Sequence, residues 1–487
     1  MFGILPGLLA SLAASDPVQP DLSLAANLHR PVPSNTAVLS AFQVEDEPRQ
    51  PWRVQSAWGL PEWLTLSGTS RWRYESLSDA IRVLQDGSNQ LYAFKTMIAA
   101  RAQLDETFNI TGELIDSRAM DFPADAILGT GTVNAVELLQ GYVGVNLNEV
   151  VREGDEVEVQ IGRHTMDVGS RRLVARNRFR NTVNAFTGVN VQWQDESSDH
   201  HVRAFAVVPV RRLPRDQPSL RDNDIEFDEE QEDTRFFGLF GDFPLHDKVR
   251  AEAYAFHLDE NDETDVPTRN RNITTIGARI HKKAATNQVH FEWESAFQFG
   301  ESRATPLATD TTDLDHAAQF HHLIVGYRFE GEAKPELELL LDYASGDDDT
   351  TDGDNNRFDT LFGARRFEFG PTGIFGAFAR SNLFSPGLRS KFRPTPKTRV
   401  MIASRMHYLA SERDVWTTTG LFDASGAAGN YLGNLTEFRV RQDLVKDNVM
   451  LEFGYAHLFA GSFVDDAPNA TGQGDTDYGY VALTFTF

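Results

Sequence analysis

Polar and apolar side chains alternate along short segments that recur from Trp63 to the end of this 487-residue chain. Leu337 and Leu339, for example, alternate with Glu336 and Glu338. A β-strand directs successive side chains to opposite faces, so each segment has one apolar and one polar face. Roughly 18 such segments occur, each of about the ten residues that a tilted membrane strand needs. The pattern predicts an all-β fold: a single antiparallel transmembrane β-barrel of about 18 strands, with long outer loops and short periplasmic turns.

The last ten residues, Tyr478–Phe487, carry the clearest membrane pattern of the chain. Every second residue from Gly479 to Phe487 lies on one apolar face that ends at the terminal residue. An exposed apolar strand edge would cause a soluble protein to aggregate. The terminal aromatic residue resembles the signature of bacterial outer-membrane barrels. We therefore expect the outer membrane of a Gram-negative bacterium as the location, membrane lipid as a partner, and the barrel assembly machinery as a partner of the Phe487 strand.

Composition and motifs exclude several other classes of protein. The chain has no cysteine, which excludes disulfide bonds and thiolate metal sites. Its mean hydropathy is −0.38, and no apolar run of about 18 residues occurs, which excludes a helical membrane protein. A net charge of −25 argues against a nucleic-acid partner. The sequence contains no serine-hydrolase, zinc-protease or phosphate-loop motif, so we expect no enzymatic activity and no cofactor.

The N-terminal residues indicate export. MFGILPGLLASLAAS is a short apolar segment followed by small residues, which predicts a signal peptide over residues 1–15. It lacks a basic residue, as a truncated signal peptide would. Residues 16–62 are rich in Pro, Ser and Asn, and we expect a periplasmic lead-in of low order. Residues 63–487 then form the barrel.

Four acidic connections interrupt the alternating segments and predict outer loops in water: Asp216–Asp233, Asp259–Asn272, Glu301–Asp315 and Asp347–Asp359. Within the last, Asp348–Asp359 loosely fits the spacing of a calcium loop. Thr350 replaces a usual ligand there and no helical pattern flanks the loop, so a solvated loop is favoured over a calcium site.

Histidine offers no clear metal site in this sequence. His200/His201 and His321/His322 are adjacent pairs, and adjacent side chains on a strand point to opposite faces. Each pair is therefore a poor chelate, and we predict no bound metal among them.

Two basic stretches contrast with the acidic chain. Thr360–Arg405 contains nine basic residues and one acid, for a net charge of +8, and Gly162–Asn181 contains six arginines and one acid, for +5. The rest of the chain carries −38. Arginine binds carboxylates through two parallel hydrogen bonds, and an arginine-lined pore draws anions. A further hypothesis is a gate, in which the acids of Asp347–Asp359 contact the first stretch and occupy its arginines until a polyanion displaces them.

Further arginines lie on the polar faces of early and late strands, which pair with each other in a closed barrel. We expect Glu75, Glu113 and Glu437 to pair with arginines, either to position them for an anion or only to brace the wall. The predicted anion-binding residues are Arg71, Arg73, Arg101, Arg163, Arg171, Arg172, Arg176, Arg365, Arg366, Arg380, Arg389, Arg399, Arg405, Arg439 and Arg441.

Several motifs resemble the alginate-export family of outer-membrane barrels. They are RWRYES at residues 71–76, GELIDSRA at 112–119, LLQGYVGV at 138–145, VQIGRHTMDVGSRRLVARNRFRN at 159–181 and DYASGDDDTTDGDNNRFDTLFG at 342–363. The resemblance implies an 18-stranded barrel with an electropositive constriction that passes a polyuronate. GARRFEFGPTGIFGAFARSN at residues 363–382 departs from the family pattern and is typical of a subfamily variant.

The leading functional interpretation is a monomeric outer-membrane channel that passes an anionic, alginate-like polysaccharide by passive, arginine-mediated conduction. A general or small-anion and oligosaccharide uptake porin is the alternative, and it would show no block by oligouronates. An outer-membrane enzyme would need a catalytic site at the rim of the barrel. A soluble β-sandwich adhesin would be extractable without detergent.

Overall fold

The computed structural model describes residues 52, 54–83, 85, 87–246, 248–262, 266, 268–470, 472 and 474–487. The predicted signal peptide and most of the predicted lead-in lie outside these residues. Within the lead-in, residues Val54–Trp58 form a short helix, α1. Two other short helices, α2 (Gln217–Asp222) and α3 (Ser462–Asp466), lie in connections between strands. No helix in the described ranges has the length and apolar character to cross a lipid bilayer.

Eighteen long strands form a closed antiparallel barrel. Each strand pairs with its neighbours in sequence, and β1 pairs with β18 from Thr69↔Thr486 to Ser78↔Asp477, which closes the sheet. Closure leaves no unpaired edge, as a membrane-spanning sheet requires. The predicted fold is confirmed. The strands are β1 Leu64–Ser78, β2 Asn89–Gln103, β3 Phe108–Met120, β4 Asn134–Asn148, β5 Asp155–His164, β6 Phe186–Asp195, β7 His200–Arg211, β8 Thr234–His246, β9 Val249–Glu260, β10 Asn272–Lys282, β11 Gln288–Ser302, β12 Leu314–Arg328, β13 Glu336–Ala344, β14 Leu383–Thr395, β15 Thr398–Tyr408, β16 Tyr431–Val445, β17 Val449–Ala460 and β18 Thr476–Thr486.

The two faces of the barrel wall are inverted relative to a soluble protein. On β13, Leu337 and Leu339 are 48% and 60% exposed, whereas Glu336 and Glu338 are 5% and 3% exposed. The alternation predicted for this segment is therefore present, with leucine on the outside and carboxylates in the lumen. An outward apolar band with a polar interior suits a lipid surround.

Connections of two kinds alternate around the barrel. Those at one end, the turn end, span two to seven residues, and those at the other, the loop end, span ten to 38 residues. The four acidic connections of the sequence all belong to the loop end. Two of its connections contain additional two-residue strands, Glu229–Glu230 and Asp354–Asn355.

Two long connections fold into the lumen: inner loop 1 (residues 165–185) and inner loop 2 (residues 345–382). They join each other directly, because the Phe362 amide donates to the Leu173 carbonyl at 2.9 Å and the Ala364 amide donates to the Arg171 carbonyl at 3.0 Å. Val174 and Phe358 pack with buried aromatic side chains of the wall in one apolar cluster. The predicted outer loop Asp347–Asp359 is thus only partly on the surface, since residues 348–354 are exposed and Phe358 is buried.

Candidate functional site

A cavity of about 820 Å³ lies at the loop end of the lumen, between the barrel wall and the two inner loops. Its lining carries a large excess of positive charge: nine arginines against three acids. The acids are Glu75, Glu260 and Asp359. The arginines are Arg73, Arg180, Arg211, Arg212, Arg215, Arg269, Arg271, Arg365 and Arg380.

Carboxylates neutralise some of these guanidiniums. Arg73 contacts Glu75 at 2.6 Å, and Arg271 contacts Glu260 at 2.6 Å and Asp359 at 2.9 Å. Because each of these positive charges has an acid at hydrogen-bonding distance, little of their field is left for an ion in the cavity.

Five of the nine cavity arginines form no ion pair with a carboxylate of the described part of the chain: Arg180, Arg212, Arg215, Arg269 and Arg365. Arg180 donates to the Thr182 carbonyl at 3.4 Å and to the Asn184 side-chain oxygen. The side chain of Arg365 makes no hydrogen bond or ion pair with another described residue. Burial, followed by the neighbouring charge of Arg82, lowers the pKa of Arg365 to about 10. Burial, followed by Arg212 and then Arg365, lowers the pKa of Arg180 well below its usual value. These guanidiniums are placed where an anion would stabilise their charge.

Ion pairs hold the two inner loops together beside the cavity. Arg172 of inner loop 1 contacts Glu292, Glu294 and Glu368, each at 2.5 Å, and the last of these acids belongs to inner loop 2. Glu368 also pairs with Arg380, whose guanidinium donates to the Arg172 carbonyl at 3.1 Å. All but the half-buried Glu292 are buried, so this network fixes the loops against each other.

Wall cations hold inner loop 1 by its backbone. Arg71 donates to the carbonyls of Arg178 and Phe179 at 3.0 and 2.9 Å, and Lys95 donates to those of Arg178 and Arg180 at 2.8 and 2.9 Å. Carbonyls of an irregular loop in a lumen need donors, and these cations supply them. Arg71 thus lies in the lumen, as predicted, and both terminal nitrogens of its guanidinium donate to the protein itself.

Phe179 lies between two further predicted arginines. The guanidinium of Arg73 is 4.3 Å from the ring centroid and that of Arg366 is 4.8 Å from it. Arg366 also contacts Glu437 at 2.7 Å and the Tyr480 hydroxyl at 3.0 Å. This stack fixes the tip of inner loop 1 against the seam of β16 to β18 and β1.

Most other predicted arginines are paired with carboxylates, mainly of the barrel wall. The basic stretch Thr360–Arg405 is divided between inner loop 2 and strands β14 and β15. The predicted pairing of Glu113 and Glu437 with arginine is confirmed, as is that of Glu75. The pairs are Arg163 with Glu137 and Glu230, Arg176 with Glu113, Arg389 with Glu338, Arg399 with Asp443, Arg405 with Asp342, and Arg441 with Glu452.

Three predicted residues have other surroundings. Arg171 lies over the Phe367 ring at 5.1 Å, and Arg439 is buried in the β16 wall. Arg101, on β2 near the turn end, has no carboxylate partner within the described ranges. It is therefore far along its strand from the cavity at the loop end.

The hypothesis that acids of Asp347–Asp359 occupy the basic stretch is wrong for the arginines with an identified partner. Glu368, Glu338, Asp342 and Glu437 take those positions, and all four lie outside that loop. Wall carboxylates alternate inward along their strands, so they reach the lumen without any movement of a loop.

Sequence reasoning missed several cavity residues. Arg211 ends β7, Arg212 and Arg215 follow it, and Arg269 and Arg271 precede β10. The sequence feature that could have identified them is the position of these basic residues at the junction of a strand with an acidic loop. The overall charge of those loops concealed it.

One group of side chains has a spacing that suits a metal ion. The ligand atoms of His290, Glu336 and Glu338 lie within 4.8 Å of one another. Lys391, however, contacts both carboxylates, at 2.5 and 2.7 Å, and Arg328 contacts Glu336 at 2.8 Å. These carboxylates are already neutralised by cations, so the chemistry of the group is that of an ion-pair network.

A family model described as alginate export matches residues 62–475. No curated protein sequence matches the chain.

Among solved structures, Acinetobacter baumannii OccAB2 is similar, with 13% identity, a TM-score of 0.55, and coverage of 87% of this chain and 98% of that one. The outer membrane protein opdK from Pseudomonas aeruginosa is 11% identical, with a TM-score of 0.52 over 87% and 98% of the chains. P. aeruginosa OccK2, solved in complex with glucuronate, is 12% identical, with a TM-score of 0.52 over 88% and 97%. At these identities the likeness concerns the fold.

Proposed function

This chain belongs to the alginate export family, and from that membership we propose that its barrel conducts anionic saccharides through the arginine-lined cavity. The family and the closed barrel support a channel protein of the Gram-negative outer membrane. The proposed substrate class is an alginate-like polyuronate or its fragments. Conduction is passive and selective for anions.

The observation that carries the proposal is a group of cavity guanidiniums without a carboxylate partner in the described structure, of which Arg180 and Arg365 are two neighbouring members. A guanidinium presents donors that match the geometry of a carboxylate. A uronate carboxylate would therefore replace the water around these groups and offset their mutual repulsion.

The paired arginines of the same cavity serve conduction in a different way. Arg271 and Arg73 have acids at 2.6 Å, so they bind a passing anion weakly. A substrate must leave as well as enter, and weak contacts at several positions allow both. The cavity thus offers a few strong positions among many weak ones.

The structural likeness to OccK2 supports a uronate as a test ligand, because that protein was solved in complex with glucuronate. The size of the cavity favours the alternative function, uptake of small anions and oligosaccharides. Its 820 Å³ falls in the range of about 300–1,000 Å³ that is usual for small-molecule sites.

Ion selectivity in planar lipid bilayers tests the proposal. A guanidinium about 6 Å from a passing chloride contributes about 0.7 kcal/mol even at the dielectric constant of water, or about threefold in relative permeability. We expect R180Q/R365Q to reduce the chloride-to-potassium permeability ratio by about tenfold, measured from reversal potentials in a KCl gradient.

Arg235→Gln is the matched control, because Arg235 is exposed on β8 at the same end of the barrel. Its neighbour Phe236 is buried, so Arg235 points outward. A wild-type channel without anion preference, or equal selectivity in R180Q/R365Q and wild type, contradicts the proposal. Block of the current by oligouronates but not by neutral oligosaccharides supports a saccharide as the substrate.

A further inference from the structure

Arg82 and Arg365 converge on the backbone of Gly376 in inner loop 2. A Cβ atom added to Gly376 would lie 2.9 Å from Nη2 of Arg82 and 3.1 Å from Nη2 of Arg365. Gly376 has a φ of +44°. A larger residue at this position would push on both guanidiniums, so the glycine leaves the space in which the two side chains meet.

The two positive charges have no acid to offset them in the described part of the chain. Arg82, on the connection between β1 and β2, donates through Nη2 to the Phe375 carbonyl at 2.7 Å. That single bond leaves the other donors of Arg82 available, since a guanidinium has five. The side chain of Arg365 lines the cavity and makes no hydrogen bond with another described residue. Two adjacent like charges repel each other, and a shared anion would remove that cost.

We propose that Arg82 and Arg365 form a subsite that binds one carboxylate group of the anionic saccharide between them. The inference rests on the proposed function, and it assigns to the loop end of the cavity the position at which a single uronate residue is held. The subsite adds Arg82 to the residues that line the cavity. Arg82 lies on the connection between β1 and β2, whereas Arg365 lies on inner loop 2.

Bridging by one carboxylate distinguishes this subsite from two independent cations. Each guanidinium would donate to one or both oxygens of the same group, as charge-assisted hydrogen bonds do. Loss of either arginine then breaks the bridge, so the second loss adds little. Independent cations would instead give effects that multiply.

The probe is D-glucuronate, with D-glucose as the neutral comparison and inorganic phosphate as a free oxyanion. The measurement is the concentration that blocks half of the chloride current of the full-length channel in a planar bilayer. We expect R82Q and R365Q each to raise that concentration for glucuronate by about tenfold, as loss of one charge-assisted hydrogen bond does, and R82Q/R365Q to raise it little further. Arg235→Gln is the control and keeps the wild-type value.

A second pair of variants approaches the subsite from Gly376. Asp and Asn are the residues that best tolerate its left-handed backbone, and they are equal in size. Gly376→Asp supplies an internal carboxylate to the two arginines, so we expect weaker glucuronate block than in Gly376→Asn. Equal block in these two variants overturns the subsite.

The outcomes separate this inference from the proposed function. An anion-selective wild-type channel whose glucuronate block is unchanged in R82Q overturns the subsite alone. A channel without anion selectivity overturns the proposed function itself. Loss of phosphate block without loss of glucuronate block in R82Q overturns the assignment to a saccharide, and equal block by D-glucose overturns the assignment to a carboxylate.

Discussion

Neutralising Glu368 should loosen the two inner loops. Glu368 is 6% exposed and pairs with Arg172 and Arg380, the second of which is 1% exposed. In Glu368→Gln, Arg172 keeps Glu292 and Glu294. Arg380 keeps only the Arg172 carbonyl at 3.1 Å and the faces of nearby aromatic rings.

The magnitude follows from the charge that is left unpaired. Breaking a buried ion pair by removing one partner costs about 3–5 kcal/mol. The glutamine oxygen still accepts one hydrogen bond, worth about 1 kcal/mol. We therefore expect Glu368→Gln to lower the free energy of local opening of the loops by about 3 kcal/mol.

Native-state hydrogen exchange of the Phe362 and Ala364 amides measures that opening, because both amides donate across the two loops. In Glu368→Gln with Arg380→Met, both charges are gone, and we expect most of the protection to return. Asp116→Asn is the control, since Asp116 pairs with Arg118 at an exposed site on β3, where pairs contribute about 0–1 kcal/mol. Protection within about 1 kcal/mol of wild type in Glu368→Gln, or no recovery in the double variant, would refute this reasoning.

Three further predictions concern other parts of the molecule. Burial, and then the charge of Asp414, raises the pKa of Asp347 to about 6. The folded loop thus favours the protonated carboxyl, so its stability falls as pH rises from about 4 to about 6. Hydrogen exchange of inner loop 2 should show this fall in wild type and no fall in Asp347→Asn. Lys95→Met removes the donor to two carbonyls of inner loop 1, so we expect a higher single-channel conductance in this variant than in wild type. Lys95→Arg keeps a donor and should have the wild-type conductance. Phe487→Ala should reduce the amount of heat-resistant folded barrel in outer-membrane fractions, whereas an unchanged amount would exclude a role of this residue in assembly.

The barrel wall could be predicted from the sequence because the direction of each side chain depends only on its position within its own strand. Leu339 and Glu338 differ by one position, and a period of two decides which of them faces the lumen. The same rule placed Glu113 and Arg73 inside, where the structure pairs each with an oppositely charged side chain. Strand pairing between neighbours in sequence then closes the barrel without long-range information.

The candidate site could be predicted only in part, since it depends on the path of two long loops. The sequence predicted both Arg71 and Arg365 as anion-binding arginines of the pore. In the structure, Arg71 donates to carbonyls of inner loop 1, whereas the side chain of Arg365 has no hydrogen-bond partner among the described residues. Nothing in the local sequence separates them. Arg82 was missed for the same reason, because only the fold of inner loop 2 brings it beside Arg365.

The backbone bonds between the inner loops have an evolutionary consequence. Residues 171–175 and 360–364 form a two-stranded contact inside the lumen, with the bridge Val174↔Phe362 at its centre. A change of length in one segment would shift the register of the other and misplace Arg172 relative to Glu368. Homologues that alter one segment should therefore carry a matching change in the second, so the two loops would diversify as a single inherited unit and a new substrate range would require both.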